Sequence, residues 1–313
     1  MLWYKGLIFT LTTVVSALPS TKRVVLVTGA NKGIGKEIAR QLGALQDHAV
    51  VLGCRDSKLG AAATAELQAA GIDCVFSRLD LCDDSSIAAT RDFIEQRYGR
   101  LDVLVNNAAI CFNDPTLYGK VPRTPFEQQA DITLRTNYHG TLAVTQTMLP
   151  LLRVSDASPR IVNVASAAGR LRGSQEIQDA FTADDLNIPA LSGLMEAFVR
   201  DAEAGVHADN GWPNTCYGVS KMGLIALTQV LAKDEPKVMV NSADPGFCAT
   251  DQNQNQGYIS AAEGAVTPAL LAHASFEEGH VSGLHFYEGR QISWSYLTND
   301  AMAVKGVRIA AAA

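Results

Sequence analysis

The stretch "RVVLVTGANKGIGKEIARQLGAL", residues 23–45, decides the fold of this chain. It joins a run of β-branched apolar residues to a glycine-rich turn and then to a helical pattern of apolar residues. Gly29, Gly33 and Gly35 allow a tight turn and a close approach of the backbone to a pyrophosphate. The first turn of the following helix adds unpaired N–H groups and a partial positive charge. This stretch therefore predicts a strand, a phosphate-binding loop and a helix, in the order of a βαβ unit.

The alternation of strand and helix patterns continues along the chain. The later strand patterns read "AVVLGCR", "DCVFSRLDL", "LDVLVNNAA", "RIVNVASAAG", "VMVNSADPG" and "GLHFYEG". One long helix, "EQQADITLRTNYHGTLAVTQTMLPLL", is predicted before the fifth strand. This order predicts an α/β fold, a Rossmann-type doubly wound parallel sheet of about seven strands with helices on both faces. We expect a single domain over residues 22–295, followed by a C-terminal tail over residues 296–313.

Composition limits the classes of partner and site. The chain has 313 residues, of which 47% are hydrophobic and 19% charged, and its net charge is −6. No basic run accompanies this acidic balance, which argues against nucleic acid or anionic lipid as a general partner. The six cysteines show no CxxC pair and the six histidines no HExxH or HxH pattern. We therefore expect free thiols and no metal site.

The N-terminal segment, residues 1–21, has two interpretations. It carries Lys5 and then a mostly apolar run that is too short for a comfortable membrane span. It resembles the core of a signal peptide, with Val15, Ser16 and Ala17 as a cleavage site, which would place the protein in the endomembrane or secretory system. It is equally compatible with an apolar extension of a cytoplasmic protein. Localisation stays open, and any membrane association is expected only through residues 1–20.

Several motifs in chain order resemble those of the short-chain dehydrogenase/reductase family. They include "TGANKGIG" at residues 28–35, "NNAA" at residues 106–109, and Tyr-x-x-x-Lys at residues 217–221. Within the family, the segments "SGLMEAFVRDAEAGVHADNGWPNTCYGVSKMG" and "EGAVTPALLA" resemble monomeric NADPH-dependent carbonyl reductases. The resemblance covers residues 22 to about 295. It implies hydride transfer from NADPH to aldehydes, ketones or quinones. The sequence differs from the family pattern at Ala109, where glycine is usual.

The predicted catalytic residues follow from the chemistry of that reduction. A carbonyl needs a proton donor for the developing alkoxide and hydrogen-bond donors that polarise it. Tyr217 and Lys221 lie one helical turn apart on one face, and Ser166 follows the fifth strand. We expect Tyr217 to donate the proton and Ser166 to bind the carbonyl oxygen. Lys221 is expected to lower the pKa of Tyr217 and hold the nicotinamide ribose. The resemblance adds Asn137, which would order a water for proton relay.

The predicted cofactor is NADP rather than NAD. Arg55 stands after the second strand, where an acidic residue would hold the ribose 2′-hydroxyl of NAD, and Lys32 adds a second cation. The other interpretation of Arg55 is a solvated charge at the end of a strand. By resemblance, the cofactor-binding set comprises Gly29, Asn31, Lys32, Gly33, Ile34, Gly35, Arg55, Asp80, Leu81, Asn107, Ala108, Tyr217, Lys221, Pro245, Gly246 and Thr250.

A long insert, residues 167–216, separates the serine from the tyrosine. It contains an amphipathic helical pattern with one apolar stripe, formed by Leu191, Leu194, Met195, Phe198 and Val199. We expect this helix to cover the surface through which most relatives associate, which predicts a monomer. We also expect the insert to form one wall of a partly covered substrate pocket that accepts bulky apolar carbonyl compounds. The alternative is that the stripe is itself an exposed interface between subunits, which would produce a different oligomer.

Two other functions and one reactive group stay open at this point. The chain could be a ketone reductase or alcohol dehydrogenase dedicated to one secondary metabolite, or an NADP-binding protein without activity. Cys216 precedes Tyr217 and is either a reactive thiol or a neutral spectator.

Overall fold

The computed structural model describes residues 21–112, 124–276 and 279–295. The predicted N-terminal segment up to residue 20 and the predicted tail over residues 296–313 lie outside these ranges.

One sheet runs through the centre of the described structure. Its strands are β1 (Arg23–Thr28), β2 (His48–Cys54), β3 (Cys74–Arg78), β4 (Val103–Asn106), β5 (Arg160–Val164), β6 (Met239–Asp244), β7 (His285–Tyr287) and β8 (Arg290–Gln291). They are ordered β3-β2-β1-β4-β5-β6-β7-β8, and each neighbouring pair from β3 to β7 is parallel. The predicted doubly wound parallel sheet is confirmed. It has eight strands rather than about seven, because the chain turns back at Glu288 and Gly289 and adds the short antiparallel β8.

Nine α-helices lie in the described ranges. They are α1 (Gly33–Ala44), α2 (Ser57–Ala69), α3 (Asp84–Tyr98), α4 (Phe126–Leu134), α5 (Thr141–Arg153), α6 (Gln175–Thr182), α7 (Ile188–Glu203), α8 (Cys216–Asp234) and α9 (Ala261–His273). None of these helices is both long and apolar enough to cross a membrane.

Two apolar cores, one on each face of the sheet, explain the uninterrupted apolar strands. Along β1, Val24 and Leu26 pack into the core that includes α3, α5 and α8, whereas Val25 and Val27 pack into the core that includes α1 and α9. All four side chains are fully buried. A strand covered on both faces has no polar side to alternate with, so its sequence reads as a continuous apolar run.

The long helix predicted before β5 is interrupted. Residues Arg135–Gly140 form a π-helical turn between α4 and α5, in which the backbone is wider than in an α-helix. Asn137 lies in this turn, and its amide pairs with the backbone N–H and C=O of Ile110. Single π-turns often occur at functional sites. Periodicity does not distinguish such a turn from α-helix, so the sequence predicts one helix here.

The insert packs against the chain's own helices. Leu191, Met195 and Phe198 of α7 are fully buried. Met195 lies so close to α8 that a Cβ added at Gly223 would be 2.6 Å from the Met195 sulfur. The hydroxyls of Ser192 and Tyr138 lie 3.2 Å apart, which joins α7 to the π-helical turn. The predicted apolar stripe therefore packs on α8, and α7 also contacts the π-helical turn.

Candidate active site

The glycine loop after β1 has the geometry that the sequence predicts for phosphate binding. Gly29 has a φ of +67°, which favours glycine, and a Cβ there would lie 2.9 Å from the Cα of Ala108. A Cβ at Gly35 would lie 2.5 Å from the Gly29 carbonyl oxygen. Gly29 therefore needs to be glycine because of its φ angle, and both Gly29 and Gly35 need to be glycine because neighbouring backbone atoms leave no room for a Cβ.

The first turn of α1 is open to an anion. Lys32, at the N-cap, makes no side-chain capping bond, and the turn contains no acidic residue. Within the described residues, its N–H groups thus lack a side-chain acceptor, and the helix dipole adds positive charge. A dinucleotide pyrophosphate fits these donors.

A hydrogen-bond network ties the glycine loop to the end of β4. The Thr28 hydroxyl accepts from the backbone N–H groups of Asn107 and Ala108, both at 3.0 Å. The Asn107 amide donates to the Thr28 carbonyl at 2.9 Å. β1 and β4 are adjacent, and the strand order reverses between them, which is where open α/β sheets bind ligands. Asn107 and Ala108, which are predicted to line the ribose, therefore also set the position of the glycine loop.

Arg55 is available for a ligand, whereas Lys32 is not. Arg55 is exposed directly after β2, and within the described chain it makes no hydrogen bond or ion pair. Its neighbour Asp56 caps α2 by accepting from the Leu59 N–H. Lys32 instead forms an ion pair with Asp251, with 2.9 Å between Nζ and Oδ2. The sequence does not predict this pair, which joins two distant loops.

The remaining predicted cofactor residues surround the same edge of the sheet. Asp80 and Leu81 follow β3, and Leu81 packs so tightly that a Cβ at Gly140 would lie 2.5 Å from its carbonyl oxygen. Pro245 and Gly246 follow β6, and Thr250 begins the next turn. Asn31 and Ile34 are partly exposed on the glycine loop.

The three predicted catalytic side chains meet at the ends of β5 and α8. Ser166 follows β5 and accepts a hydrogen bond from the Ala168 N–H at 3.1 Å. Tyr217 and Lys221 lie in the first two turns of α8, with the Lys221 Nζ 5.7 Å from the centre of the Tyr217 ring. The phenol interacts with the side chains of Ser166 and Gln252, and both interactions favour its ionised form.

Lys221 is buried against the end of β5. Its side chain is 3% exposed, and Nζ donates to the Val164 carbonyl at 2.7 Å. Burial disfavours the charged form and lowers the pKa of Lys221 to about 8, an effect that the nearby Cys111 thiol opposes. The ammonium is therefore held at a fixed place by one strong bond.

The pKa of Tyr217 moves in the direction opposite to the sequence prediction. Burial raises the pKa of the phenol above its ordinary value, and negative charge on the thiolate form of Cys111 and on the carboxylate of Asp244 raises it further. The interactions with Gln252 and Ser166 oppose this rise without reversing it. The Lys221 ammonium donates to Val164 rather than to the phenol. Tyr217 is therefore protonated at neutral pH in this structure.

Asn137 is connected to the catalytic helix. It is 1% exposed, and its Nδ2 lies 3.0 Å from the hydroxyl of Ser220, which in turn donates to the backbone carbonyl of Tyr217. Its Oδ1 accepts from the Ile110 N–H at 2.8 Å. The side chain thus joins the π-helical turn, the loop after β4 and α8.

Sequence reasoning missed three residues of this site. Gln252 interacts with the Tyr217 phenol, Cys111 interacts electrostatically with both Tyr217 and Lys221, and Asp251 pairs with Lys32. Asp251 and Gln252 follow Thr250 directly, and Cys111 follows "NNAA" closely, but neither stretch forms a motif of its own.

The structure also bears on Cys216 and on metal binding. Cys216 is buried, its thiol donates to the Phe126 carbonyl, and burial raises its pKa to about 12, as expected of a spectator. No group of three potential metal ligands occurs in the described ranges.

The burial of Lys221 predicts a measurable cost in stability. A lysine whose pKa is lowered on folding destabilises the native state at any pH at which it stays charged. This cost in free energy falls as the pH rises from about 8, the pKa in the folded protein, towards about 10.5, the pKa in the unfolded chain. We expect Lys221→Met to be about 2 kcal/mol more stable than the wild type at pH 7, after subtraction of the lost hydrogen bond. Urea unfolding at pH 7 and at pH 10 measures the free energy of unfolding of the wild type and of the variant. The difference between the two proteins should be smaller at pH 10.

The matched control is Lys233→Met, which removes an exposed lysine from the same helix. It should change the free energy of unfolding by less than about 0.5 kcal/mol at either pH. A Lys221→Met protein that is less stable than the wild type at pH 7 would contradict the burial cost.

Comparison with known proteins identifies the family. The model for short chain dehydrogenases matches residues 23–178. Carbonyl reductase [NADPH] 1 of Oryctolagus cuniculus is 42% identical over 265 residues, covering 82% of this chain and 92% of the relative. Among solved structures, salutaridine reductase from Papaver somniferum is 32% identical over 85% of this chain and 100% of its own, with a TM-score of 0.77. Menthone neomenthol reductase from Mentha piperita is also 32% identical, over 85% of this chain and 99% of its own, with a TM-score of 0.71. The chain belongs to the short-chain dehydrogenase family.

Proposed function

We propose that this protein reduces carbonyl compounds (aldehydes, ketones or quinones) to alcohols with NADPH. The observation that carries the proposal is the meeting of Ser166, Tyr217 and Lys221 beside an open phosphate-binding loop at one edge of the sheet. Similarity to the carbonyl reductase named above supports the choice of cofactor and reaction.

Tyr217 is the proton donor in this proposal. Its phenol is protonated at neutral pH and so holds the proton that the reaction consumes. Burial raises its pKa and weakens it as an acid, so its neighbours must stabilise the charge that develops during proton transfer. Ser166 and Tyr217 would both bind the carbonyl oxygen and polarise it. As the proton leaves, negative charge develops on the phenol, and the interactions from Ser166 and Gln252 stabilise it. Lys221 contributes a fixed positive charge close to the ring.

The cofactor, when bound, supplies the hydride. The N–H groups of the first turn of α1 would hold its pyrophosphate, and Arg55 would bind the 2′-phosphate through charge-assisted hydrogen bonds. Among the described residues Arg55 has no hydrogen-bond or ion-pair partner, and this supports the role, since such a strand-end charge is free to bind an anion. Lys32 would contribute only after leaving Asp251.

We also propose that the protein is a monomer whose insert forms one wall of the substrate pocket. None of the large apolar side chains that stay exposed in the described ranges belongs to α7 or α8. The start of the insert packs on the catalytic helix so closely that a Cβ at Gly169 would lie 2.6 Å from the Lys221 carbonyl carbon. Helix α7 therefore removes the apolar surface that an association through α8 would need.

A second candidate function is a reductase dedicated to one secondary metabolite. It is favoured by the similarity to the salutaridine and menthone neomenthol reductases, which the chain matches over most of its length. A panel of aromatic aldehydes, quinones, terpenoid ketones and alkaloid ketones separates the two candidates. Comparable kcat/KM values across the panel support a general carbonyl reductase, and a single preferred ketone supports the dedicated enzyme.

Removing the Tyr217 hydroxyl tests the proposed acid. Tyr217→Phe keeps the ring but loses the proton, so kcat with menadione should fall by about 10²–10⁴-fold. The affinity for NADPH, measured by its fluorescence, should change little. Tyr98→Phe, on α3, is the control and should keep full activity. Tyr217→Phe activity within about threefold of wild type would exclude Tyr217 as the donor.

The selectivity for NADPH tests Arg55. Arg55→Ala should weaken NADPH binding at least about 10-fold, since a charge-assisted hydrogen bond is lost, and should leave NADH binding nearly unchanged. Arg91→Ala, which removes a partly exposed arginine of α3 that pairs with Glu95, is the control. An equal loss for both cofactors would mean that Arg55 does not bind the 2′-phosphate.

Light scattering tests the oligomeric state. A monomer has a mass near 33.4 kDa. We expect this mass over a wide range of protein concentration, because α7 already covers α8. A stable tetramer would contradict the proposal.

A further inference from the structure

Three nitrogen-bearing side chains lie at the amino ends of the strands, the edge of the sheet opposite the candidate active site. Arg23, His48 and Arg160 are the first residues of β1, β2 and β5. Arg23 is aligned with His48 in the register of β1 and β2, so both side chains lie on one face of the sheet. Arg160 lies on the same face, because it aligns through Val103 with Val25, two residues after Arg23. These three residues are called the amino-edge cluster.

Arg160 is a buried guanidinium with no carboxylate partner among the residues that the structure describes. It is 5% exposed, its Nη1 donates to the Leu271 carbonyl at 2.9 Å, and its Cζ lies 6.0 Å from the centre of the Phe276 ring. Burial, with a smaller effect from the positive charge of Arg23, lowers the pKa of Arg160 to about 10. The group is therefore charged at neutral pH. A buried charge without a counter-charge is costly in free energy, so this position favours an anion.

The carboxylates nearest to the cluster in the sequence do not remove this excess of charge. Asp47 and Asp102 both favour the charged form of Arg23. The Asp102 carboxylate also accepts from Arg100 at 3.0 Å. Neither acid is among the groups that act on Arg160. The positive charge without compensation is therefore that of Arg160.

Three buried nitrogens of the amino-edge cluster have no hydrogen-bond partner in the described structure. They are Nε of Arg23, Nε2 of His48 and Nε of Arg160. Most buried polar atoms in proteins are paired, and an unpaired one costs free energy. The two arginine Nε atoms carry hydrogens and can only donate. The cluster therefore offers two charged donors that no protein acceptor satisfies.

The His48 ring adds an acceptor to these donors. Its Nδ1 lies 2.6 Å from Oδ1 of Asp47, and an ionised carboxylate can only accept, so Nδ1 carries a hydrogen. Burial lowers the pKa of His48, the charges of Arg23 and His273 lower it further, and Asp47 opposes them without reversing the shift. The ring is therefore neutral at pH 7 and above, and its Nε2 holds a lone pair.

The cluster is reached from the side of Arg23. This residue is partly exposed, and its Nη2 donates at 3.2 Å to the carbonyl of Ser158, which is exposed. Arg160 and His48 lie deeper, at 5% and 2% exposure. A small anion that enters beside Arg23 would therefore approach the two buried side chains.

We propose that the amino-edge cluster binds hydrogenphosphate, with Arg23 and Arg160 donating to its oxygens and Nε2 of His48 accepting its P–OH hydrogen. Bonds from a guanidinium to an anionic oxygen are charge-assisted and strong. Sulfate has the same shape and charge but no hydrogen, so it would leave the His48 lone pair facing an oxygen. The site therefore selects hydrogenphosphate over sulfate. It lies at the opposite edge from the proposed cofactor and does not rest on the proposed function.

Isothermal titration calorimetry at pH 8 and constant ionic strength tests the site. Hydrogenphosphate, sulfate and phenyl phosphate are all dianions at this pH, and only the first keeps an O–H. The wild type should bind hydrogenphosphate at least about 10-fold more tightly than the other two, because each of them leaves a buried acceptor unpaired. Phosphate should also raise the midpoint of thermal unfolding.

Variants identify the residues that hold the anion. Arg160→Met removes the charge and should weaken phosphate binding at least about 10-fold. His48→Phe removes the acceptor, so it should weaken phosphate binding, leave sulfate binding nearly unchanged and abolish the selectivity. Arg97→Met, which removes an exposed arginine of α3, is the control and should bind as the wild type does.

Three results would overturn this inference. The first is no binding by the wild type at up to about 10 mM phosphate. The second is equal affinity for the three anions, which would exclude the role of His48. The third is phosphate binding that is lost in Arg55→Ala but kept in Arg160→Met, which would place the anion at the proposed cofactor site. None of these measurements uses reductase activity, so failure of the phosphate site is distinguishable from failure of the proposed function.

Discussion

The hydrogen bond from the Lys221 ammonium to the Val164 carbonyl is the interaction on which the candidate site depends. Val164 is the last residue of β5, and Lys221 lies in the second turn of α8. A buried cation tolerates few arrangements, since it must find acceptors to offset the loss of water. This bond therefore fixes α8 against the strand end that delivers Ser166, and it brings the serine and the Tyr217 phenol to the same place. The close approach of Gly169 to Lys221 and the hydrogen bond from Asn137 to Ser220 hold α8 at the same position.

The same burial that fixes Lys221 changes the acid chemistry of its neighbour. A sequence argument pairs a phenol with an ammonium and concludes that the pKa of the phenol falls. In the folded protein, loss of solvent around the phenol raises its pKa instead, and the Lys221 ammonium donates to a backbone carbonyl rather than to the phenol. In the proposed mechanism, Tyr217 supplies the proton, and its raised pKa makes that transfer less favourable. The stabilisation that Lys221, Ser166 and Gln252 are proposed to give the phenolate is therefore most important when charge develops on the oxygen.

The insert and the loop after β6, residues 247–259, each join parts of the chain that are far apart in sequence. Helix α7 fills the apolar face of α8 with Met195, at a position where Gly223 leaves room for the sulfur. An aromatic series from Phe126 through Phe198 to Trp212 then joins the insert to α4. The loop after β6 contacts the glycine loop through the ion pair between Lys32 and Asp251. Both elements lie outside the repeating strand and helix pattern, and residues that bind ligands often lie in such connecting segments.

The sequence by itself determined the features that depend on local backbone chemistry and on periodicity. Apolar spacing and glycine positions act over a few residues, so the sequence predicts the strand, glycine loop and helix at residues 23–45, the parallel sheet and the amphipathic α7. Tyr217 and Lys221 could be paired because a helix places residues four apart on one face. Tertiary structure alone decided the rest. Neither the Lys32–Asp251 pair nor the contact of Gln252 with Tyr217 leaves a local pattern, since each joins segments far apart in the chain. The pKa of Tyr217 was likewise beyond the sequence, because burial depends on every element that packs around the phenol.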